Sequence, residues 1–186
     1  MVEPARCQLY LAAPAVLPAG FGATLAGVLD AVEVACLRLP PAADIEELVH
    51  LAQQRGTAVV IAGEIELAAR LGADGVHLPD LRSYGAARSR LGADAILGVT
   101  CGDSRHLAME AGEAGADYVS LAPDLELVRW WAEMMVVPVV VELGEGLDLA
   151  ADFIAAGAEF IALSEALWRD PAGAPTTARQ ISALLG

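Results

Sequence analysis

The chain has 186 residues, 56% hydrophobic and 19% charged, with 11 basic residues against 25 acidic ones and a formal net charge of −14. This length suits one well-buried core rather than two ordinary domains, so residues 1–186 are read as a single domain. The acidic balance excludes nucleic acid, which needs clustered Lys and Arg, and no apolar run approaches the ~18 residues that cross a membrane.

The N-terminal stretch Met1 to Cys7 carries an acid and a proline instead of a basic start and an apolar core, so the expected location is the cytoplasm. Cys7, Cys36 and Cys101 have no Cys or His at ligand spacing and are expected to be reduced, buried thiols. Strands are predicted over 8–12, 34–39, 58–62, 75–78, 95–99, 118–122, 136–141 and 160–163. Between them the periodicity predicts helices over 23–31, 44–54, 65–71, 81–91, 104–114, 125–134 and 147–156, with a last helix over 177–185 and the 171–175 stretch as the loop before it. Start signals are Asp44 with Glu47 and Asp103 before Ser104; stop signals are Gly56, Gly72, Gly92 and Gly157.

Glu64–Asp80 is the clearest unit. Ile65, Leu67, Ala68 and Leu71 recur at helical spacing, Gly72 ends the helix, and Val76 and Leu78 begin a buried strand. The join returns as Gly92-Ala93-Asp94, Gly115-Ala116-Asp117 and Gly157-Ala158-Glu159, at steps of 20, 23 and 42 residues. Strand-helix units of this size give parallel strands, and eight of them close into a (β/α)8 barrel of the TIM type. The rival open, doubly wound sheet wants a glycine fingerprint after the first strand, where Ala12 to Val16 stand; Gly144-Glu145-Gly146 lacks the third glycine.

Ligands of such a barrel sit at the carboxyl ends of the strands. There the chain places Arg38, Glu64, His77 with Asp80, Thr100 with Cys101, Ser120 with Asp124, Glu142 with Glu145, and Ser164 with Glu165. Arg38, between Leu37 and Leu39, needs an anionic ligand or a carboxylate partner, with Glu64 and Glu142 as the candidates. His77 is a candidate acid or base, but no nucleophile or second base stands beside it, and a structural histidine in the barrel rim is the simpler reading. Thr100 and Ser120 either hold a phosphate oxygen or cap the helices that follow them. Gly144 and Ser164, after the seventh and eighth strands, stand where barrels cradle phosphate, opposed by Glu142, Glu145 and Glu165. Trp130 and Trp131 point about 100° apart, which predicts one on the barrel and one toward a partner.

The chain resembles the thiamine phosphate synthase family and its relative, the thiazole tautomerase TenI, both (β/α) barrels. The likeness runs from Gln8-Leu9-Tyr10-Leu11 to Ser164 and is sharpest over the twelve residues from Leu67 to Leu78 and at Gly115-Ala116-Asp117-Tyr118-Val119. The resemblance implies joining a hydroxymethylpyrimidine pyrophosphate to a thiazole phosphate, with Mg²⁺ neutralising the leaving pyrophosphate. It also implies where the chain departs. The family's Gln-x-Arg-x-Lys is Cys36-Leu37-Arg38-Leu39-Pro40, and its Asn-Asp is Ala62-Gly63. Its Gly-Gln after His-Leu gives way to Pro79 and Asp80, the latter early for the second metal aspartate. Thr100 takes the place of a substrate-contacting serine, and Gly-Pro becomes Ala122-Pro123, with the tautomerase's histidine falling at Pro123. The Thr-x-Thr-Lys loop is replaced by Asp124-Leu125-Glu126-Leu127, and only Gly144 of the Gly-Gly turn is kept.

The expectation is therefore a thiamine phosphate synthase-like barrel with a strand-end pocket for a small molecule, its parental catalysis reduced or lost. Arg38, His77 and Thr100 are the expected substrate-binding residues, Gly144 and Ser164 the phosphate-binding ones, and Asp80 the weak metal candidate. Mg²⁺ is the cofactor the resemblance implies, and a homo-oligomer is compatible with it. Two alternatives stand beside this: an active synthase using Asp80, Glu64 or Glu142 as metal ligands, and a non-enzymatic interaction protein docking through the Trp130–Trp131 helix.

Overall fold

A computed structural model describes residues 6–144 and 146–185. The strands are β1 (Gln8–Ala12), β2 (Cys36–Leu39), β3 (Ala58–Ala62), β4 (Gly75–Leu78), β5 (Ile96–Gly102), β6 (Tyr118–Leu121), β7 (Val139–Glu142) and β8 (Phe160–Leu163). Each pairs in parallel with the next, and β8 returns to β1, closing the barrel. The helices are α1 (Phe21–Ala31), α2 (Glu46–Gln53), α3 (Ile65–Leu71), α4 (Tyr84–Leu91), α5 (Arg105–Ala114), α6 (Leu125–Met134), α7 (Ala150–Ala155), α8 (Glu165–Trp168) and α9 (Ala174–Ser182). No described helix is long and apolar enough to cross a membrane.

The recurrent glycine-acid join has a physical cause at the amino end of the barrel. At Gly72 and Gly115 the backbone adopts left-handed angles (φ +61° and +92°) that end α3 and α5, and their N–H groups close back on the last turn. The acid two residues later then ties the new strand to its neighbour. Asp74 Oδ2 accepts from Val59 N at 2.7 Å, Asp117 Oδ2 from Leu97 N at 2.8 Å, and Glu159 Oε2 from Val139 N at 3.0 Å. Thus the acids before β4, β6 and β8 each satisfy a backbone donor near the start of β3, β5 and β7, where the ladder alone leaves it unmet.

Several boundaries differ from the periodic reading. Asp44 does not cap α2; it holds φ +60°, and Ile45 occupies the cap position. Ser104, not Asp103, caps α5 by accepting from Leu107 N. Strand β7 begins three residues late because Pro138 has no N–H for the ladder, leaving Val136 97% exposed. Helix α9 begins three residues early, since Pro175, read as loop, sits in its first turn, where its missing N–H costs nothing.

Alternation along the strands sorts side chains into two cores. Outward residues such as Leu37, Leu39, Val76 and Leu78 pack under the helices, together with Cys7, Cys101 and fully buried Trp131. Trp131 donates to Val137 O at 2.8 Å and packs on the barrel, while half-buried Trp130 is covered by the Arg105 guanidinium at 4.8 Å from its ring centroid. Inward residues Tyr10, Ala12, Cys36, Val60, Tyr118, Val140 and Ala162 fill the barrel axis. The three cysteines are buried and unbridged.

The inner core has room for the Tyr118 ring only because β5 carries glycine opposite it. A Cβ built at Gly98 would lie 1.9 Å from Tyr118 Cζ. Replacing Gly98 by alanine is therefore expected to destabilise the chain by about 1–3 kcal/mol or more, read as a lower urea midpoint at unchanged m-value; an unchanged midpoint would show that the ring has another berth.

Candidate functional site

At the carboxyl end of the strands a cavity of about 920 Å³ opens, walled by Ala12, Ala13, Pro14, Pro40, Pro41, Ala62, Gly63, Pro79, Gly102, Ala122 and Pro123 among others. Among the described residues its charged lining residues are Arg38, Glu142 and Glu165. His77, Thr100, Gly144 and Ser164 line it as well, so five of the six expected site residues, Arg38 included, share one cavity, and Ser120 joins them. Asp80 does not join them. Its carboxylate accepts from Arg82 N at 2.8 Å and pairs with the Arg82 guanidinium, capping the short 3-10 turn Leu81–Ser83.

Arg38, inward on β2, meets Glu142, inward at the end of β7, in a two-pronged ion pair. Nη1 donates to Oε1 at 2.7 Å and Nη2 to Oε2 at 3.0 Å. Ser120 Oγ, on β6 next to β7, donates to the same Oε1 at 2.6 Å. Glu142 rather than Glu64 is thus the partner, and Ser120 braces it instead of capping a helix; Asp124 caps α6. Burial opposes ionisation of both groups, but each overcomes it through the other: Arg38 and Ser120 hold the Glu142 carboxyl down at about 2, and Glu142 pushes the Arg38 guanidinium further up.

The second Nη1 hydrogen of Arg38 points at His77 Nε2, 3.0 Å away, and Thr100 Oγ1 lies 2.7 Å from the same nitrogen. An arginine only donates, so Nε2 must accept and the ring proton sits on Nδ1. From there it is donated to Tyr118 Oη at 2.8 Å, and Tyr118 meets Tyr10 Oη at 2.9 Å. His77 is 5% exposed; its burial first, and then the Arg38 charge, lower its pKa from 6.5 to about 3. It is a neutral hydrogen-bonding post in the rim, not a base poised near neutrality. Burial keeps both tyrosines protonated.

Tyr10 and Tyr118 are the members that the strand reading missed. The available signal was a hydroxyl-bearing aromatic at an inward position of an otherwise apolar strand; which hydroxyls meet depends on barrel closure. Below them a smaller cavity of about 320 Å³ opens at the amino end, bordered by Gln8, Cys36, Asp117 and Phe160 among others.

Gly144 turns the chain after β7 with φ +58°, and Ser164 precedes α8, which is only four residues long and begins with Glu165. Glu145 lies outside the described residues. The chain has no lysine at all: its eleven basic residues are arginines, and among the described residues Arg38 is the one that lines this cavity. Among the described residues no three His, Cys, Asp or Glu side chains gather as a metal would require.

The family model described as thiamine monophosphate synthase matches residues 41–167. A thiamine-phosphate synthase from Rhodospirillum centenum is 44% identical over 190 residues, covering 90% of this chain and 92% of its own. One from Erythrobacter litoralis is 39% identical over 204 residues, covering 95% and 96%. Thiamine phosphate pyrophosphorylase from Pyrococcus furiosus superposes with a TM-score of 0.82 over 98% of this chain and 99% of that one; at 22% identity this likeness concerns the fold.

Because His77 and Glu142 both hold pKa values below their ordinary 6.5 and 4.5, the unfolded chain binds more protons in acid than the folded one. Stability is expected to rise with pH through the window from about 3 to 6.5 for His77 and from about 2 to 4.5 for Glu142. Urea midpoints followed against pH should therefore fall steadily below 6.5, and in His77→Gln the decline should start only near 4.5; a wild-type curve flat to pH 4 would contradict this.

Proposed function

We propose that this chain, which belongs to the thiamine monophosphate synthase family, holds a small heterocyclic ligand of thiamine metabolism in its barrel mouth, with the parental transfer chemistry reduced or lost. One observation carries the reading: the cavity's single arginine spends both Nη groups on Glu142, a carboxylate of the same chain.

The family's reaction separates a pyrophosphate, so its site must offset concentrated negative charge as the bond to carbon breaks. Mg²⁺ would supply that offset in the family. The donor set here does not fit such an ion. Ala62, Gly63 and Pro79 stand where carboxylate and polar residues belong, Asp80 is paired with Arg82, and Glu142 is paired with Arg38. Nor does a lysine exist to replace the ion.

What the residues can do is bind and orient. The apolar wall of alanines and prolines receives a ring, while Thr100, Ser164 and the backbone at Gly144 offer hydrogen bonds at its edge. Arg38 and His77 hold the floor in one arrangement. The whole barrel works in this reading as one domain acting on a small molecule.

A second reading, an active synthase, is favoured by the names and identities of the relatives that span nearly the whole chain. A product assay with both precursors and Mg²⁺ separates the two. Loss of preorganised charge stabilisation predicts turnover reduced by roughly a hundredfold or more for each missing group, relative to a family member with intact motifs. Turnover matching such an enzyme would establish the second reading instead.

A further inference from the structure

Resting on the reading of the mouth as a ligand pocket, we infer that it selects a heterocycle without phosphate, neutral or cationic, because Glu142 already occupies the arginine that a phosphate would need. Three features point this way. The first is charge: among the described residues one arginine against two glutamates gives the cavity lining a formal balance of −1, in a chain without lysine. The second is geometry. Glu142 is a fixed anion, held through both oxygens by Arg38 and braced by Ser120, so an incoming phosphate must displace a two-pronged bond or sit beside a carboxylate.

The third is the opposite wall. The backbone site after β8 is a single turn of four residues, and its first residue, Glu165, faces the same cavity. An anion at Ser164 would therefore meet a carboxylate where it needs a positive helix end. Apart from His77, whose Nε2 is taken by Arg38 and Thr100, the rest of the described lining is apolar or hydroxylic. A ring with a hydroxyl or amino substituent satisfies it, and a positive ring gains from Glu142 and Glu165.

The selection is read by titration calorimetry of the full-length chain. The thiazole alcohol and its phosphate ester form one pair of ligands, thiamine and thiamine phosphate a second, and inorganic pyrophosphate is the bare-anion probe. The wild type should bind each unphosphorylated member about tenfold or more tightly than its phosphate ester, and pyrophosphate should give no heat at millimolar concentration. In Glu142→Gln the amide keeps the shape but loses the negative charge and one of the two acceptors, releasing one Nη of Arg38, so the preference should move about tenfold toward the esters and pyrophosphate binding should appear.

A wild type that binds either ester more tightly than its alcohol, or binds pyrophosphate as well as the variant does, overturns the inference. If no organic ligand binds while pyrophosphate responds only in Glu142→Gln, the ligand reading of the pocket fails and charge exclusion by Glu142 stands. Should Glu142→Gln not fold, Ser120→Ala, which removes the brace alone, gives the same comparison with a smaller shift, and the wild-type ligand pairs still decide.

Discussion

A guanidinium inside a closed parallel barrel must be met by a carboxylate or it does not stay there, and the rest of the mouth follows from that demand on Arg38. Glu142 meets it from the far side of the barrel, Ser120 fills one more lone pair of Glu142, and His77 accepts the remaining Nη1 hydrogen. The histidine's other nitrogen must then donate, which requires Tyr118, whose ring in turn requires a glycine at position 98. Among the described residues no buried side-chain nitrogen or oxygen is left without a partner. Such a network is costly to break at one point, since removing either member of the ion pair strands the other in a low-dielectric site.

The amino end of the barrel obeys the same requirement in a simpler form. Each of Asp74, Asp117 and Glu159 closes a strand pair by accepting a backbone hydrogen. This accounts for the irregular steps of the repeat. The tie comes from the strand that follows, so β7 needs no acid of its own; Glu159 before β8 serves it. At Gly92-Ala93-Asp94 the sequence looks alike, but Asp94 is exposed, and Arg88 binds the carbonyls of Gly92, Ala93 and Ala95 there.

The barrel was legible because its signals are local: helical spacing, a glycine stop, an acid two residues on, and a short apolar run. Boundaries failed where one residue's backbone chemistry outweighed the pattern, as at Pro138, Pro175 and Asp44. Within the site, Arg38 and Glu142 stood out as charges at the ends of buried strands, and their pairing was one of three arrangements the sequence allowed, beside Glu64 and an anionic ligand. The column beneath them was not legible. Tyr10 and Tyr118 are 108 positions apart, and their meeting depends on strand tilt and stagger around a closed barrel, which no local pattern encodes.

The two-residue alternation of a strand also separates what makes a family from what makes a reaction. Outward side chains on β2, β4 and β7 pack beneath helices and determine how the barrel closes; inward side chains meet only one another and whatever enters the mouth. An inward substitution can therefore rewrite the charge of the mouth while the outer packing, and with it the likeness to relatives, is unchanged. Glu142 illustrates the point: Val139 and Val141, three and one residues before it, lie fully buried in the outer core, while its carboxylate turns inward to Arg38. In this fold, high similarity over the full chain constrains the scaffold strongly and the chemistry of eight inward strand ends weakly, so function has to be argued from those ends.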